Sequence, residues 1–187
     1  MVKKIIITGG LGYIGTELCK IYSGVSWNNS ITVIDNKFIS ERVNQLRNWN
    51  MNFVHGDILD RDLIKEHCKD ADIVHHLAGV TDVPRVQSET NEVADAKIRL
   101  VAEKGTQNIL DAISEKCKII LPSTHVVYEG IEKVKNDIRE EEELKPVLSY
   151  SLSKAFNENQ LKNSGKNYII LRLGSVYGYS NDATRID

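Results

Sequence analysis

Three glycines directly after an apolar run have the spacing of a phosphate-binding turn. Gly9, Gly12 and Gly15 are separated by two residues each, and they follow the run Ile5–Ile7. The run predicts a buried strand, and the pattern after it predicts the start of a helix. In such a unit Gly9 permits the turn, Gly12 lets the backbone approach a pyrophosphate, and Gly15 allows close packing of the helix on the sheet. The helix N-terminus would then offer unpaired N–H groups and about half a positive charge to the phosphates.

A second apolar stretch, Ile31–Asp35, ends in an acid that could bind a ribose of the same dinucleotide. Asp35 follows Gly15 by 20 residues, about the spacing expected for a carboxylate that accepts from a ribose 2′-hydroxyl. A carboxylate at that place repels a 2′-phosphate, so the sequence favours NAD over NADP. The alternative is a glycine-rich turn that holds no ligand, with Asp35 an ordinary residue at a strand end.

One more acid and two histidines are candidates for a site. Asp57 follows the predicted strand Met51–Val54, at the edge of the sheet where a cofactor would lie. It could accept from an adenine amine, or it could cap the helix predicted around Arg61–Cys68. His75 and His76 are adjacent on a predicted strand and point to opposite faces, which rules out their coordinating one metal together. Both histidines are therefore predicted to be packed or hydrogen-bonded.

Alternating strands and helices are expected to position these residues. The predicted strands are Ile5–Ile7, Ile31–Asp35, Met51–Val54, Ala71–Gly79, Cys117–Leu121 and Asn167–Arg172, and the predicted helices after the first are Ser40–Asn48, Arg61–Cys68, Ser88–Glu115 and Leu148–Lys162. The buried stripe expected on the longest helix is Val93, Ile98, Val101, Ile109, Leu110 and Ile113. A charged segment, 130–146, is interpreted as a solvated loop or an exposed helical face. The alternation predicts an α/β fold, a parallel, doubly wound Rossmann sheet with helices on both faces.

Length and composition are those of one ordinary globular domain. The 187 residues carry a net charge of −2 with no basic stripe, so no nucleic-acid surface is expected. No stretch approaches the length of a membrane span, and the short isoleucine run is not the core of a signal peptide. Cys19, Cys68 and Cys117 lie far apart in apolar settings, which fits reduced thiols in a cytoplasmic protein. They offer no pair of ligands at zinc spacing, so no metal is expected.

Tyr150 and Lys154 are four residues apart on a predicted helix and therefore share one face. Such a pair arises by chance in roughly one chain of this composition in two, so the motifs around it decide its meaning. In the order of these motifs along the sequence, the chain resembles the NAD-dependent nucleotide-sugar epimerases and dehydratases of the extended short-chain dehydrogenase/reductase superfamily. Within that family it resembles the UDP-galactose (UDP-glucose) 4-epimerases most. The motifs are TGGLGYIG at Thr8–Gly15, VIDN at Val33–Asn36, GDILD at Gly56–Asp60, HLAG at His76–Gly79, GTQNIL at Gly105–Leu110, STHVVY at Ser123–Tyr128, YSLSK at Tyr150–Lys154 and LRLGSVYG at Leu171–Gly178.

The resemblance implies a role for each matching residue. Tyr150 would be the catalytic acid/base, Lys154 would hold ribose hydroxyls and stabilise the Tyr150 phenolate, and Thr124 would hydrogen-bond the reacting sugar oxygen. The residues implied to bind NAD are Gly9, Gly12, Tyr13, Ile14, Gly15, Asp35, Asn36, Asp57, Ile58, Leu77, Ala78, Gly79, Tyr150 and Lys154. Within that set the acid at 35 would bind the adenosine ribose, and residues 57 and 58 the adenine.

The chain also departs from the family pattern. Sugar 4,6-dehydratases of the family carry an Asp-Glu pair after the catalytic Thr, where this chain has His125 and Val126; elimination of water would lack its acid and base. Ala102 and Ser175 stand where the family carries asparagines. Because the chain ends at Asp187, we expect it to be the NAD-binding domain with the catalytic pair, without most of the C-terminal sugar-binding lobe.

The leading hypothesis from sequence is a cytoplasmic, NAD-dependent nucleotide-sugar 4-epimerase that oxidises C4 transiently and returns the hydride. A first alternative is an NAD(P)-dependent sugar ketoreductase or dehydrogenase with the same Tyr–Lys pair, or a 4,6-dehydratase of the same family. A second is a dinucleotide-binding protein without catalysis, since fold does not fix function. The resemblance further implies a homodimer whose contact includes the helix of Tyr150 and the helix Ser88–Glu115.

Overall fold

Six parallel strands of the described residues form one sheet. The computed structural model describes residues 2–25, 29–81, 92–132 and 135–178. The strands are β1 (Lys3–Thr8), β2 (Asn29–Asp35), β3 (Asn52–His55), β4 (Ile73–His76), β5 (Lys118–Thr124) and β6 (Asn167–Leu173). They lie in the order β3-β2-β1-β4-β5-β6, which confirms the predicted doubly wound sheet. The order reverses between β1 and β4, and ligand crevices form outside the carboxyl ends of strands at such a reversal.

Helices cover both faces of this sheet. They are α1 (Tyr13–Ser23), α2 (Ser40–Asn48), α3 (Arg61–Cys68), α4 (Glu92–Leu100), α5 (Thr106–Ala112) and α6 (Ser149–Asn163). A π-helical turn, Val101–Gly105, joins α4 to α5, and a 3₁₀ turn, His125–Tyr128, follows β5. Side chains of α1 and α2 form the core of one face, and side chains of α3, α5 and α6 form the core of the other.

The isoleucines of β1 show why the strand is a continuous apolar run. Ile5 and Ile7 belong to the core under α1 and α2, whereas Ile6 belongs to the core on the opposite face. Successive side chains of a strand point to opposite sides, and both sides of a parallel sheet are covered by helices. The three cysteines are buried and unpaired in these two cores, as predicted.

The predicted helix Ser88–Glu115 differs most from the structure. Residues 82–91 lie outside the described residues, and the described part is interrupted by the π-helical turn and ends at Ala112. The side chain of Val93 is 80% exposed, so its predicted burial is wrong. A π turn adds a residue to the helical repeat, so the buried stripe of α5 is not in phase with that of α4. The other predicted core positions are buried, or half-buried in one case: Ile98, Val101, Ile109, Leu110 and Ile113.

The segment 130–146 consists of turns, bends and irregular backbone in its described part, so the loop interpretation is the correct one. The segment leads from the 3₁₀ turn after β5 to the start of α6. Within the described ranges, no helix has the length and apolar character needed to cross a bilayer.

Candidate active site

The glycine turn connects β1 to α1 through backbone contacts that leave no room for side chains. Gly9 has a φ of +70°, and its N–H donates to the carbonyl of Ile34 at 2.8 Å. A Cβ at Gly9 would lie 2.6 Å from the backbone nitrogen of Ala78, and a Cβ at Gly15 would lie 2.5 Å from the Cα of Gly10. The turn is therefore packed directly against the end of β4, at the place where the strand order reverses.

Gly12 differs from its neighbours because one side of it is open. The closest atom to a Cβ at Gly12 would be the Gly9 carbonyl oxygen at 3.2 Å. Gly12 is the N-cap of α1; no side chain of the described residues caps this helix end, and its first turn carries no acid. The N–H groups of the first turn, which includes Tyr13 and Ile14, are thus available to an anion. This end of α1 fits a pyrophosphate.

Asp35 is fixed at the rim of the same turn. Its Oδ2 accepts from the Leu11 N–H and its Oδ1 from the Lys37 N–H, both at 2.9 Å. The carboxylate is almost fully buried, and α2 is tied to the same loop by a hydrogen bond from Arg42 to the Leu11 carbonyl. A carboxylate has about four lone-pair sites, so two remain for ribose hydroxyls.

Asn36 and Asp57 lie side by side after β2 and β3. The Asn36 amide donates to Asp57 Oδ2, and the Leu59 N–H donates to Asp57 Oδ1, each at 2.9 Å. The cap of α3 is Asp60, which accepts from Leu63 N–H at 3.0 Å, so the alternative that Asp57 caps this helix is wrong.

Ile58, by contrast, has its side chain buried in the core, against the place where a Cβ of Gly105 would be. Its carbonyl accepts from the amide of Asn108 at 2.9 Å. A contact of Ile58 with adenine would therefore come from its backbone.

Lys154 joins the end of β4 to the predicted catalytic tyrosine. Its Nζ donates to the Pro122 carbonyl at 3.0 Å and lies 3.8 Å from a Cβ placed on Gly79. The same Nζ is 5.9 Å from the centre of the Tyr150 ring, so the pair shares one face of α6 as predicted. Burial lowers the pKa of Lys154 to about 8. A cation is thus held between the crevice and a phenol.

The remaining predicted residues lie at the carboxyl ends of β4 and β5. Thr124 is buried, and its Oγ1 accepts from the Val126 N–H at 3.2 Å. Leu77 is half-buried, packs against the core under α1, and donates its N–H to the Thr8 carbonyl at 3.0 Å. The Ala78 N–H donates to the Thr8 hydroxyl at 3.3 Å. The structure thus brings the predicted residues to one edge of the sheet.

Both adjacent histidines are hydrogen-bonded inside the protein, as predicted. His75 Nε2 is 2.8 Å from the Tyr22 hydroxyl on the α1 face. His76 is buried and lies 2.9 Å from the hydroxyls of both Thr8 and Thr106. Burial lowers the pKa of both imidazoles, that of His76 to about 3, with Lys154 adding to the shift at His76.

Glu158, on α6, was not singled out by the sequence. It accepts from Arg172 at both carboxylate oxygens, at 2.9 and 2.7 Å, and from the Ser123 hydroxyl at 2.6 Å. Burial alone would raise the pKa of Glu158, but the hydrogen bonds from Arg172 and Ser123 outweigh it and hold this pKa below its ordinary value. The local signals are helical spacings: Glu158 follows Lys154 by four residues and precedes Lys162 by four, and Lys162 Nζ lies 3.5 Å from Glu158 Oε2. The other partners, Ser123 and Arg172, come from β5 and β6, and no local pattern predicts them.

Comparison with protein families agrees with this geometry. The family profile described as "NAD dependent epimerase/dehydratase family" matches residues 5–187. The chain belongs to the NAD-dependent epimerase/dehydratase family. The resemblance of the sequence motifs is thereby confirmed, and members of this family include both 4-epimerases and 4,6-dehydratases.

Individual members of the family are similar along most of this chain. It is 28% identical to dTDP-D-glucose 4,6-dehydratase from Dictyostelium discoideum, with 95% of this chain and 44% of that protein aligned. It is also 28% identical to UDP-glucose 4-epimerase from Mycoplasma genitalium, over 94% of this chain and 53% of that one. The crystal structure of UDP-glucuronic acid 4-epimerase from Bacillus cereus in complex with NAD superposes with a TM-score of 0.75 at 25% identity, over 94% of this chain and 57% of that chain. The chain thus spans about half the length of these relatives.

Proposed function

We propose that the protein is an NAD-dependent nucleotide-sugar 4-epimerase. The proposal is supported above all by the position of Lys154 Nζ, between Gly79 in the crevice and the ring of Tyr150. The open side of Gly12, the uncapped end of α1 and the anchored carboxylate of Asp35 suit a dinucleotide without a 2′-phosphate. The dinucleotide would be held by Gly9 to Gly15, Asp35, Asn36, Asp57, the Ile58 backbone and residues 77–79.

NAD, when bound, would accept the hydride from C4 of the sugar and return it to the opposite face. Tyr150 Oη would take the proton of the C4 hydroxyl as the hydride leaves, and give it back when the hydride returns. Thr124 would hydrogen-bond the same sugar oxygen and keep it beside the phenol. One cycle therefore causes no net oxidation or reduction, because the hydride and the proton both return to the sugar.

Lys154 makes a phenolate accessible at neutral pH. A phenol with a pKa near 10 must lose about three units to act as a base at pH 7, which is roughly 4 kcal/mol. A cation about 4 Å from the phenol oxygen would contribute about that much at an effective dielectric constant near 20. Burial opposes the charged phenolate, so the positive charge of the bound nicotinamide would add to the effect of Lys154. Because burial places the pKa of Lys154 at about 8, its charged form predominates at neutral pH.

Two residues argue against the dehydratase alternative. His125 is exposed, with its Nδ1 3.2 Å from the Leu173 carbonyl, and Val126 has no proton to transfer. Removal of water from a sugar needs an acid and a base, and these are the two positions that supply them in the family's dehydratases. A sugar reductase, which shares the Tyr–Lys pair, differs by exchanging its cofactor at every turnover.

The nucleotide carried by the purified protein tests the proposal. The protein would be denatured and the released nucleotides identified and counted by mass spectrometry. NAD held near one per chain is expected, because an epimerase regenerates its cofactor in place. An empty site that binds NAD weakly would point to a reductase or a non-catalytic binder, and no affinity at all would overturn nucleotide binding.

Exchange of Tyr150 for phenylalanine tests the chemistry separately. We expect Tyr150→Phe to abolish turnover while NAD stays bound, since only the phenolic oxygen is removed. Lys154→Met should weaken both turnover and NAD binding, because Lys154 serves both. An active Tyr150→Phe protein would contradict the mechanism.

We also propose a homodimer that acts in the cytoplasm. The neighbouring helices α4 and α6 leave large apolar side chains exposed, namely Val93, Leu100, Leu152 and Phe156, and exposed apolar patches mark contact surfaces. The buried, unpaired thiols suit a reducing compartment. Light scattering should give a dimer for the wild type and a monomer for Phe156→Glu; a monomeric wild type would contradict the dimer.

A further inference from the structure

The π-helical turn between α4 and α5 is bound by amide side chains of α6. A π turn changes the normal pattern of intrahelical hydrogen bonds and is often found at functional sites. Here the Ala102 carbonyl accepts from Asn157 Nδ2 at 2.8 Å, and the Glu103 carbonyl accepts from Gln160 Nε2 at 3.0 Å. The two amides are three residues apart on α6 and so lie on one side of it.

From Asn157 a chain of buried hydrogen bonds continues to the glycine turn. Asn157 Nδ2 donates to the Thr106 hydroxyl at 3.0 Å, which is 2.9 Å from His76 Nε2. His76 Nδ1 is 2.9 Å from the Thr8 hydroxyl, which also accepts from the Ala78 N–H. A neutral imidazole with its proton on Nδ1 satisfies all these contacts, with Thr106 donating to Nε2.

Both ends of this series of hydrogen bonds lie at the candidate active site. Thr8 is the last residue of β1, directly before the turn that would hold the pyrophosphate, and Ala78 borders the crevice. Asn157 follows Lys154 by three residues and Tyr150 by seven, so these three side chains project from the same side of α6. The side chains of Asn157, Thr106 and His76 are all buried. Any rotation of α6 would break the hydrogen bonds of Asn157 in an interior that water does not reach, which is costly.

We propose that Asn157 is a positioning residue, which fixes α6 relative to the glycine turn through Thr106 and His76 and so sets Tyr150 and Lys154 beside the reacting sugar. The inference rests on the proposed function and adds a role that the Tyr–Lys pair does not contain. The family pattern carries an asparagine at position 102, where this chain has Ala102. In this protein residue 102 contributes its carbonyl, and the amide that binds the π turn comes from α6.

Asn157→Leu and Thr106→Val test the proposal, because each keeps the approximate shape and removes a polar link of the chain. Misplacement of reacting groups by about 1 Å costs on the order of a hundredfold in rate, so we expect kcat to fall by about tenfold to a hundredfold. The affinity for NAD, measured by calorimetry, should change far less, since the glycine turn is intact. The double variant should be no worse than the poorer single variant, because linked groups act as one unit.

Chemical modification of Lys154 gives a readout that does not depend on turnover. Acetylation of Lys154, followed by mass spectrometry in the absence of substrate, should be severalfold faster in Asn157→Leu and Thr106→Val than in the wild type. Asn157 Nδ2 also donates to Gln160 Oε1 at 3.0 Å, so Gln160 belongs to the same network. Asn159→Leu is the matched control: it makes the same change on the same helix, but Asn159 is exposed and has no contact with Asn157, Thr106 or His76 among the described hydrogen bonds. Its acetylation rate and kcat should stay at the wild-type values.

The outcomes separate this inference from the proposed function. Unchanged acetylation of Lys154 in both variants, measured well below their unfolding temperatures, would overturn the positioning role even in an active enzyme. Equal effects of Asn159→Leu and Asn157→Leu would overturn it as well, since the buried hydrogen bonds would then be irrelevant. A wild type that neither binds NAD nor turns over a nucleotide sugar would overturn the proposed function, whereas the acetylation rates would still decide whether Asn157 sets the position of Lys154.

Discussion

The glycine turn and helix α6 supply the two halves of the candidate site, and they are held in different ways. The turn is held by backbone atoms packed so closely that a Cβ at Gly9 or Gly15 would overlap its neighbours. Helix α6 is held by buried polar side chains, Asn157 on one side and Glu158 on the other. One half depends on the absence of side chains, and the other depends on their hydrogen bonds.

This difference has a consequence for how each half responds to change. Overlap of a new methyl group with backbone can be relieved only by moving the turn, which also carries the N–H groups that we propose bind the phosphates. Loss of a polar partner in α6 leaves the opposite group buried without a hydrogen bond, which costs its full desolvation energy. Stability should therefore be most sensitive at α6, and cofactor affinity most sensitive at the turn.

The largest expected effect is on stability, from Glu158→Ala. The substitution leaves the Arg172 guanidinium, which is 13% exposed, without its carboxylate. Removal of one partner of a buried ion pair costs about 3–5 kcal/mol, and we expect a loss of that order in the free energy of unfolding, measured by urea denaturation. A loss below about 1 kcal/mol would mean that the pair behaves as a surface ion pair.

The same ion pair should affect how the free energy of unfolding changes at acid pH. Because the pKa of Glu158 is lower in the folded protein than its ordinary value, its contribution is complete above the ordinary carboxyl pKa and is lost as the pH falls through the lower, folded-state value. The stability difference between wild type and Glu158→Ala should therefore shrink on acidification. A difference that grew at low pH would contradict the sign of this shift.

A smaller effect is expected when a methyl group is added to the turn, and its nature should depend on the position. Gly15→Ala places a Cβ 2.5 Å from a backbone atom, so overpacking should cost about 1–3 kcal/mol of stability as well as NAD affinity. Gly12→Ala meets only a carbonyl oxygen at 3.2 Å, so its stability should change by less than about 1 kcal/mol. Its NAD affinity should nevertheless fall by at least about tenfold, because the methyl group occupies the approach of the pyrophosphate.

Gly24→Ala is the control for these two variants. Gly24 ends α1 with a φ of −84°, and its Cβ would meet nothing closer than 3.6 Å. Neither stability nor NAD affinity should fall. Calorimetric titration with NAD and thermal unfolding of the three variants would give both quantities, and equal affinities for Gly12→Ala and wild type would mean that no phosphate approaches this glycine.

The contrast between the two halves also explains what the sequence could predict. The turn is encoded locally, since the positions of Gly9, Gly15 and Asp35 follow from spacing along the chain, and the parallel, doubly wound sheet follows from alternating strands and helices. Gly10 was overlooked, although a Cβ there would lie 2.4 Å from Val33 Cγ1, because that contact comes from β2. The pairing of Tyr150 with Lys154 was also local, at one helical turn.

The support of α6 could not be predicted, because its partners are distant in sequence. Asn157 and Thr106 are 51 residues apart, and Ser123 and Glu158 are 35 apart. An asparagine or glutamate in an amphipathic helix is assigned to the solvated face when only its own helix is considered. The π turn was missed for a related reason, since the pattern through residues 92–112 fits a continuous helix. The error at Val93 has a different cause: Val93 lies five residues before the buried Ile98 on α4 itself, and this spacing places the two side chains about 140° apart around the helix.

The smallest expected effect tests whether the burial of an ion pair, and not its N–O distance, makes stability sensitive to changes in α6. Lys135 and Glu142 form an ion pair of 3.0 Å in the loop before α6, close to the 2.7 Å of the Arg172–Glu158 pair, but their side chains are 41% and 37% exposed. Exposed pairs contribute about 0–1 kcal/mol and are screened by salt, so Glu142→Gln should change the free energy of unfolding by less than about 1 kcal/mol. High salt should remove even that difference, whereas the effect of Glu158→Ala should persist; urea denaturation at low and at high salt measures both. A loss for Glu142→Gln as large as that for Glu158→Ala would mean that this loop, and not the buried polar contacts, holds α6 in place.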